Sequence, residues 1–313
     1  FYKIGTQVYG FQNDPLYGDI ESIEEIHYLT NDQDVDYSTL DEHHIYRTTY
    51  KFNSRGDVVE CVEGWSDGST YSYEYDAKGR MTKSTTVHHD GCDVKTYEYD
   101  SQGRLVRELS SYKCDDYAFT STYKYKYDKN GNLLLKECLD DNYRPYVITR
   151  KYDALNRLIS NSEYDEDEGG YTSCEYVYDS SNRVVESYGR DFDGISPHKK
   201  IYKYDAKGRL AEVYIGYGDE ECEKSYSFVY DKSGVLCGII GPYGAVGPGY
   251  PDFQHIFTLN SKGEAVKSYF YGIDEFTRYY ERDAKGNIVK IVEYFAGEKA
   301  PSRYIIRNIK YRK

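Results

Sequence analysis

Aromatic and charged positions alternate along this chain in short bursts. Tyr73 and Tyr75 flank Glu74, Tyr97 and Tyr99 flank Glu98, Tyr125 and Tyr127 flank Lys126, and Tyr202 and Tyr204 flank Lys203. A period of two is the period of a strand, so each burst predicts a strand with rings on one face and charge on the other. Directly after the burst comes an Asp or Asn, giving ten anchors at Asn53, Asp76, Asp100, Asp128, Asp153, Asp179, Asp205, Asp231, Asn260 and Asp283, spaced 23 to 29 residues apart, all but Asn260 and Asp283 preceded by an aromatic. Five positions beyond each anchor the residue is apolar, from Val58, Met81 and Leu105 through to Ile288, which predicts the start of a second strand.

Between the two strands the chain must reverse. Three positions after the anchors stand Gly56, Gly79, Gly103, Gly131, Asn156, Asn182, Gly208, Gly234, Gly263 and Gly286. Asp at the first position of a type I turn and Gly or Asn at the fourth, where φ turns positive, is the chemistry such a turn asks for. The structural turn residues are therefore Asp76 with Gly79, Asp100 with Gly103, Asp128 with Gly131, Asp205 with Gly208 and Asp231 with Gly234. The Gly is expected to form a bulge that restores strand twist.

A hairpin cannot bury a face alone, so the units are expected to pair side by side. The predicted fold is all-β: tandem antiparallel β-hairpin repeats forming one elongated, twisted sheet or β-superhelix, solenoid-like. Twenty strands at about 4.8 Å would extend roughly 95 Å if the sheet stays open. Residues 1–47 lack the anchor and hold Ile20, Ile23, Ile26 and Tyr28, predicting an N-terminal cap with a degenerate repeat. Residues 48–294 carry about ten hairpin repeats, and residues 295–313 read as a capping strand. A Gly- and Pro-rich loop at 240–253 breaks the pattern.

Composition sharpens this picture. The chain holds 40 Tyr against 1 Met and 1 Trp, so the apolar surface to be buried is mostly tyrosine ring, in a thin core. A net charge of -13 argues against a nucleic-acid partner, whose phosphates need a basic stripe. No apolar run reaches the ~18 residues of a transmembrane helix. The seven cysteines show neither a CxxC pair nor metal spacing, and are expected to be mostly small buried hydrophobes rather than disulfides. The chain starts at Phe1 without a basic-then-apolar leader, and is expected to be a mature form whose export signal was removed.

Tyr204-Asp-Ala-Lys-Gly-Arg-Leu210 and Tyr99-Asp-Ser-Gln-Gly-Arg-Leu105 resemble the YD repeats of Rhs-like bacterial proteins, with Tyr152-Asp-Ala-Leu-Asn-Arg-Leu158 and Tyr178-Asp-Ser-Ser-Asn-Arg-Val184 as close variants. The resemblance covers about residues 48–294. It implies repeat β-structure on secreted or cell-surface proteins, lipoproteins among them. Some such proteins coil into a shell around a toxin, and some are credited with carbohydrate or partner binding. The implied localisation is extracellular or the cell envelope of a bacterium.

Candidate chemistry is sparse. The pair His88-His89 next to Asp90 points to opposite faces of an extended chain, so it reads as a loop rather than a metal site. Acidic runs at Asp115-Asp116, Asp140-Asp141, Asp165 to Glu168 and Asp219 to Glu221 fall at the second turns and read as a solubilising ridge, without a calcium loop pattern. No nucleophile elbow or phosphate loop is present, so the expectation is no enzyme, no cofactor and no metal. Binding is expected of the 240–253 loop through Tyr243, Tyr250 and Phe253, with a glycan or a surface or secreted protein as partner. The function so read is a non-catalytic repeat scaffold. The alternatives are a transmembrane β-barrel, whose strands would alternate in the same way, an enzyme with its site in the 240–253 loop or at the N-terminal cap, and a toxin-associated Rhs-like component.

Overall fold

A computed structural model of the protein describes residues 2–5, 13–29, 44–64, 68–138, 146–165, 170–190, 198–241, 253–261, 265–270 and 273–313. They are all-β, as the alternation predicts. Strand follows strand antiparallel, each pairing with its neighbours in sequence, from Ile20–Leu29 to Arg303–Tyr311. A separate short pair, Tyr2–Gly5 with Asn13–Leu16, precedes them.

Whether such a sheet stays open does not follow from its repeats, and here it closes. The strand Arg303–Tyr311 pairs along its whole length with Ile20–Leu29, Arg307 opposite Glu25 and Ile309 opposite Ile23. Among the described residues the result is one continuous antiparallel sheet of 22 strands that closes on itself as a barrel. Closure removes the exposed edges that an open sheet would have to protect.

Each repeat turn is built alike. In the hairpin of Thr70–Tyr75 and Met81–Val87, the Gly79 amide donates to the Asp76 carbonyl at 3.0 Å, and the Asp76 amide donates to the Arg80 carbonyl at 2.9 Å. Gly79 sits at φ 81° and Asn156, its counterpart three repeats later in the chain, at 62°. The register then slips by one residue between Glu74 and Tyr75, a slip repeated at Glu98/Tyr99, Lys126/Tyr127 and Lys203/Tyr204.

The two faces of the wall differ. Glu74, Glu98 and Lys126 are exposed, and ion pairs run across the strands on their face: Lys83 to Glu74, Arg107 to Glu98 and Lys290 to Glu281. The tyrosines opposite are half-buried, so the ring-bearing face is the less accessible one. Side chains converge on the concave side of a closed sheet and splay on its convex side, which identifies the ring-bearing face as the inner one.

Among the described residues, close-packed clusters gather near the seam where the barrel closes. Leu16, Ile20, Ile23 and Phe52 form one cluster, and Ile288, Ile291 and Ile305 another. All seven cysteines are free thiols, and only Cys61 and Cys237 are buried. The other five are half-buried, contrary to the sequence expectation, because a single-layered wall leaves both of its faces partly wet.

Candidate functional site

The repeated residues meet in a clasp. Asp76 Oδ1 accepts from the amides of Lys78 at 2.8 Å and Arg80 at 3.0 Å, while Oδ2 accepts from Arg80 Nε at 2.7 Å. The Arg80 guanidinium also lies 4.7 Å from the centre of the Tyr99 ring in the next repeat. Tyr99 in turn donates its hydroxyl to the Met81 carbonyl at 2.7 Å. The same three contacts recur with Asp100, Arg104 and Tyr127, with Asp153, Arg157 and Tyr178, with Asp179, Arg183 and Tyr204, and with Asp205, Arg209 and Tyr230. Each Arg thus ties its own turn and stacks on the following repeat. Amide hydrogen bonds and the Arg80 guanidinium hold the Asp76 carboxyl below the ordinary aspartate range, and Asp100, Asp153, Asp179 and Asp205 are held down in the same way.

After Asp128 and Asp283 Asn stands in for Arg, whereas Asp231 is followed by Val235, which supplies only its amide. Asn132 Nδ2 donates to Asp128 Oδ2 at 2.9 Å. Asn287 is fully buried and joins Asp283, Tyr311 and the Tyr17 backbone, which fastens residues 16–19 to the barrel.

The second constellation lies on the inner face of the seam. Glu25 and His27 are two apart on one strand and so share a face, and the His27 ring donates to Glu25 Oε1 at 2.7 Å. Arg307, opposite Glu25 in register, donates Nε to Glu25 Oε2 at 2.7 Å. Burial works against the Glu25 charge, but His27 and Arg307 outweigh it and hold the carboxyl below its ordinary range. Tyr50 is pushed up by burial and by the Glu25 charge, and the Cys61 thiol rises to about 11 through burial and Glu63. Two strands away Arg278 Nε reaches Glu293 Oε2 at 2.5 Å, with both side chains buried. A carboxylate that orients an imidazole could serve a general base. Here Arg307 holds the second carboxylate oxygen and Ile305 stands opposite His27, which is only 3% exposed. The geometry is that of a latch across the seam.

On the outer face, Tyr279 and Tyr294 meet edge to face with ring centres 5.8 Å apart. With Thr277, Glu298 and Lys299 they line an open groove of about 490 Å³.

The residues singled out from the sequence fall in different places. Asp76, Asp100, Asp128, Asp205 and Asp231, with Gly79, Gly103, Gly131, Gly208 and Gly234, sit in the turns, each Gly at positive φ. Tyr243 and Tyr250 lie outside the described residues, and Phe253 is described only as a strand start whose backbone pairs with Gly241. His88 is bound to Asp93 and Ser69, and among the described residues no group of three or more His, Cys, Asp or Glu could hold a metal. Sequence reasoning missed Glu25, His27 and Arg307. The signal was available, since charged residues share the alternation of Ile23 on one strand and of Ile305 and Ile309 on the other.

Residues 25–167 match the family model of the Teneurin YD-shell. Among solved structures, the chain is similar to the Tc holotoxin pore of Photorhabdus luminescens, at 12% identity and a TM-score of 0.47, over 92% of this chain and 17% of that one. A crystal structure of TcdB2-TccC3 without its hypervariable C-terminal region matches at 12% identity and a TM-score of 0.46, over 93% and 17%. A porin-like protein from Bacteroides uniformis matches at 10% identity and a TM-score of 0.29, over 93% of this chain and 98% of that one. The chain therefore spans about a sixth of the length of the first of these structures. No curated protein matches the chain.

Proposed function

We propose, from the premise that the chain is a YD-repeat protein of the Rhs-like kind, that it is a non-catalytic scaffold at the bacterial surface or outside the cell. Its closed wall presents a large face to a glycan or a protein partner. One observation carries this reading: the repeated Asp, Arg and Tyr side chains are engaged with one another from turn to turn. What a wall so built offers is shape and a repeated surface. Catalysis needs instead a few groups set apart with perturbed protonation and access to a substrate. The Glu25–His27 pair is the nearest approach to such a set, and it is engaged by Arg307 and sealed from solvent.

Closure of the sheet favours a second reading, a transmembrane β-barrel. A membrane barrel needs an apolar outward band about 25 Å tall. The outer face here carries the Lys83–Glu74 and Arg107–Glu98 pairs on adjacent hairpins and the Lys290–Glu281 pair farther round the ring, which an apolar band does not allow. Recovery of the chain only in detergent would reinstate it.

The test of the scaffold is a glycan array and a screen of surface and secreted proteins on the purified chain, run beside a turnover assay on every ligand found. Saturable binding without turnover supports the scaffold. Turnover of a bound ligand, or no saturable binding in either screen, would overturn it.

A further inference from the structure

Tyrosines on both faces of the wall are held by their neighbours. Inside, the clasp rings lie under arginines and donate to carbonyls, as Tyr99 does with Arg80 and Met81. Outside, Tyr214 donates to Glu212 at 3.0 Å beneath Lys203, and Tyr188 donates to Glu186 beneath Lys199. Tyr279 and Tyr294 differ. Their ring planes meet at 86°, and among the described residues neither hydroxyl has a hydrogen-bond partner and neither ring carries a cation. Tyr279 is 59% exposed, the highest value of any described tyrosine. Register brings the two together, since Thr277 faces Tyr294 and Tyr279 faces Val292 across the strands Ile273–Arg282 and Ile288–Phe295.

We infer that this corner is a subsite for a neutral glycan, one sugar ring lying on Tyr279 against Tyr294. The inference rests on the scaffold reading and narrows its glycan or protein partner to one class. The C–H face of a sugar ring carries the partial positive charge that the negative face of an aromatic ring attracts. Beside the rings stand Thr277, Glu298 and Lys299, a hydroxyl, a carboxylate and an ammonium. Together they donate and accept, as the hydroxyls of a sugar do. Ser302 engages Glu298 at Oε2, which leaves Oε1 for a ligand, and Lys299 makes no ion pair among the described residues. The two charges offset each other, so the groove favours neither an anion nor a cation.

Size and topology favour a sugar over a protein here. The groove of about 490 Å³ lies within the range of small-ligand sites, about 300–1,000 Å³. A stable protein interface takes about 800 Å² from each partner, far more than two rings and three flanking side chains present. A peptide that binds as an added strand needs a free sheet edge. Among the described residues the main sheet closes on itself and offers none.

The experiment is isothermal titration calorimetry of the full chain with cellohexaose, maltohexaose and xylohexaose as neutral probes and polygalacturonate as an acidic one, in about 50 mM and about 500 mM NaCl, where screening lengths differ about threefold. Three variants accompany it: Y279A, Y279F and Y171A, the last removing a ring of comparable exposure, 55%, on another strand. Circular dichroism checks that all three remain folded. The expected result is saturable binding of a neutral hexasaccharide that salt changes less than about twofold. Y279A should weaken it at least about tenfold, Y279F should stay within about threefold of the parent because the ring remains, and Y171A should match the parent. No binding of any neutral probe, binding that Y279A leaves unchanged, or a salt-sensitive preference for polygalacturonate would overturn the inference. A saturable protein partner without sugar binding would sink this inference and leave the scaffold standing, whereas no saturable binding of any kind would sink both.

Discussion

Replacing Arg307 by Ala removes one side of a buried ion pair and leaves the other behind. The Arg307 side chain is 2% exposed and that of Glu25 is 6%, so solvent cannot take over when the guanidinium is lost. Truncating one partner of such a pair costs about 3–5 kcal/mol, most of it the penalty of an uncompensated buried charge. Because repeat walls can open piecemeal, the effect is read locally rather than from a single global melting curve. Native-state hydrogen exchange at the amides of Ile20–Leu29 and Arg303–Tyr311 reports opening of the seam. At 1.4 kcal/mol per factor of ten, protection there should fall by about two to three and a half powers of ten. Amides around Tyr99 and Tyr127, on distant strands, should change far less. A fall in seam protection smaller than about tenfold, or an equal loss all round the ring, would refute the claim that this pair holds the closure.

The clasps make further predictions. Tyr99→Phe deletes the hydroxyl that meets the Met81 carbonyl but keeps the ring under Arg80, and should cost about 0.5–1.5 kcal/mol in urea unfolding; no measurable loss would show that water replaces the bond fully. Gly131→Ala meets open space but holds φ at 89°, so it should destabilise by about 1 kcal/mol through backbone strain alone, whereas Asn156→Gly, at φ 62°, should be neutral or slightly stabilising. Both are read from thermal midpoints, and a reversed order would contradict the turn assignment. The folded-state values of Asp76, Asp100, Asp153, Asp179 and Asp205 lie below the ordinary 3.8, so their stabilising contribution is complete above that pH and disappears as pH falls through the folded values. Urea midpoints should therefore drop in acid below about pH 4; a midpoint that rises on acidification would refute the sign.

The hairpins were legible because everything that makes them is local. Asp76, Gly79 and Arg80 lie within five residues, and alternation names the strand on either side. The reach of Arg80 to Tyr99 was less plain, since the variable second turns blur the spacing between one repeat and the next. Closure was not legible at all. No repeat records that Arg303–Tyr311 must find Ile20–Leu29, because the hairpin rule that dictates every other neighbour is silent about strands at opposite ends of the chain. The proposed binding loop at 240–253 was picked out by its Gly and Pro content, which reports irregularity of the backbone rather than recognition.

Register at the seam then needs its own determinant, since no turn sets it. A slip of one residue between Ile20–Leu29 and Arg303–Tyr311 would flip one strand's side chains to the other face. Glu25 and His27 would leave the inner face for the side of the wall where Glu24 and Asn308 now pair at 2.8 Å, and Arg307 would remain without its carboxylate. An aliphatic seam would punish that slip far less, because Ile23 and Ile26 occupy both faces of the same strand. The latch is therefore expected to contribute specificity beyond its net stability. In the double variant E25L/R307L the seam should keep its strength to within about 1–2 kcal/mol, since a packed pair can replace a buried ion pair. It should lose uniqueness of register. Cysteines at the facing positions Ile23 and Ile309 should crosslink efficiently in the parent, whereas in the double variant crosslinking from Ile23 should divide between position 309 and its one-residue neighbours. A single crosslink of undiminished yield in the double variant would mean that packing alone sets the register.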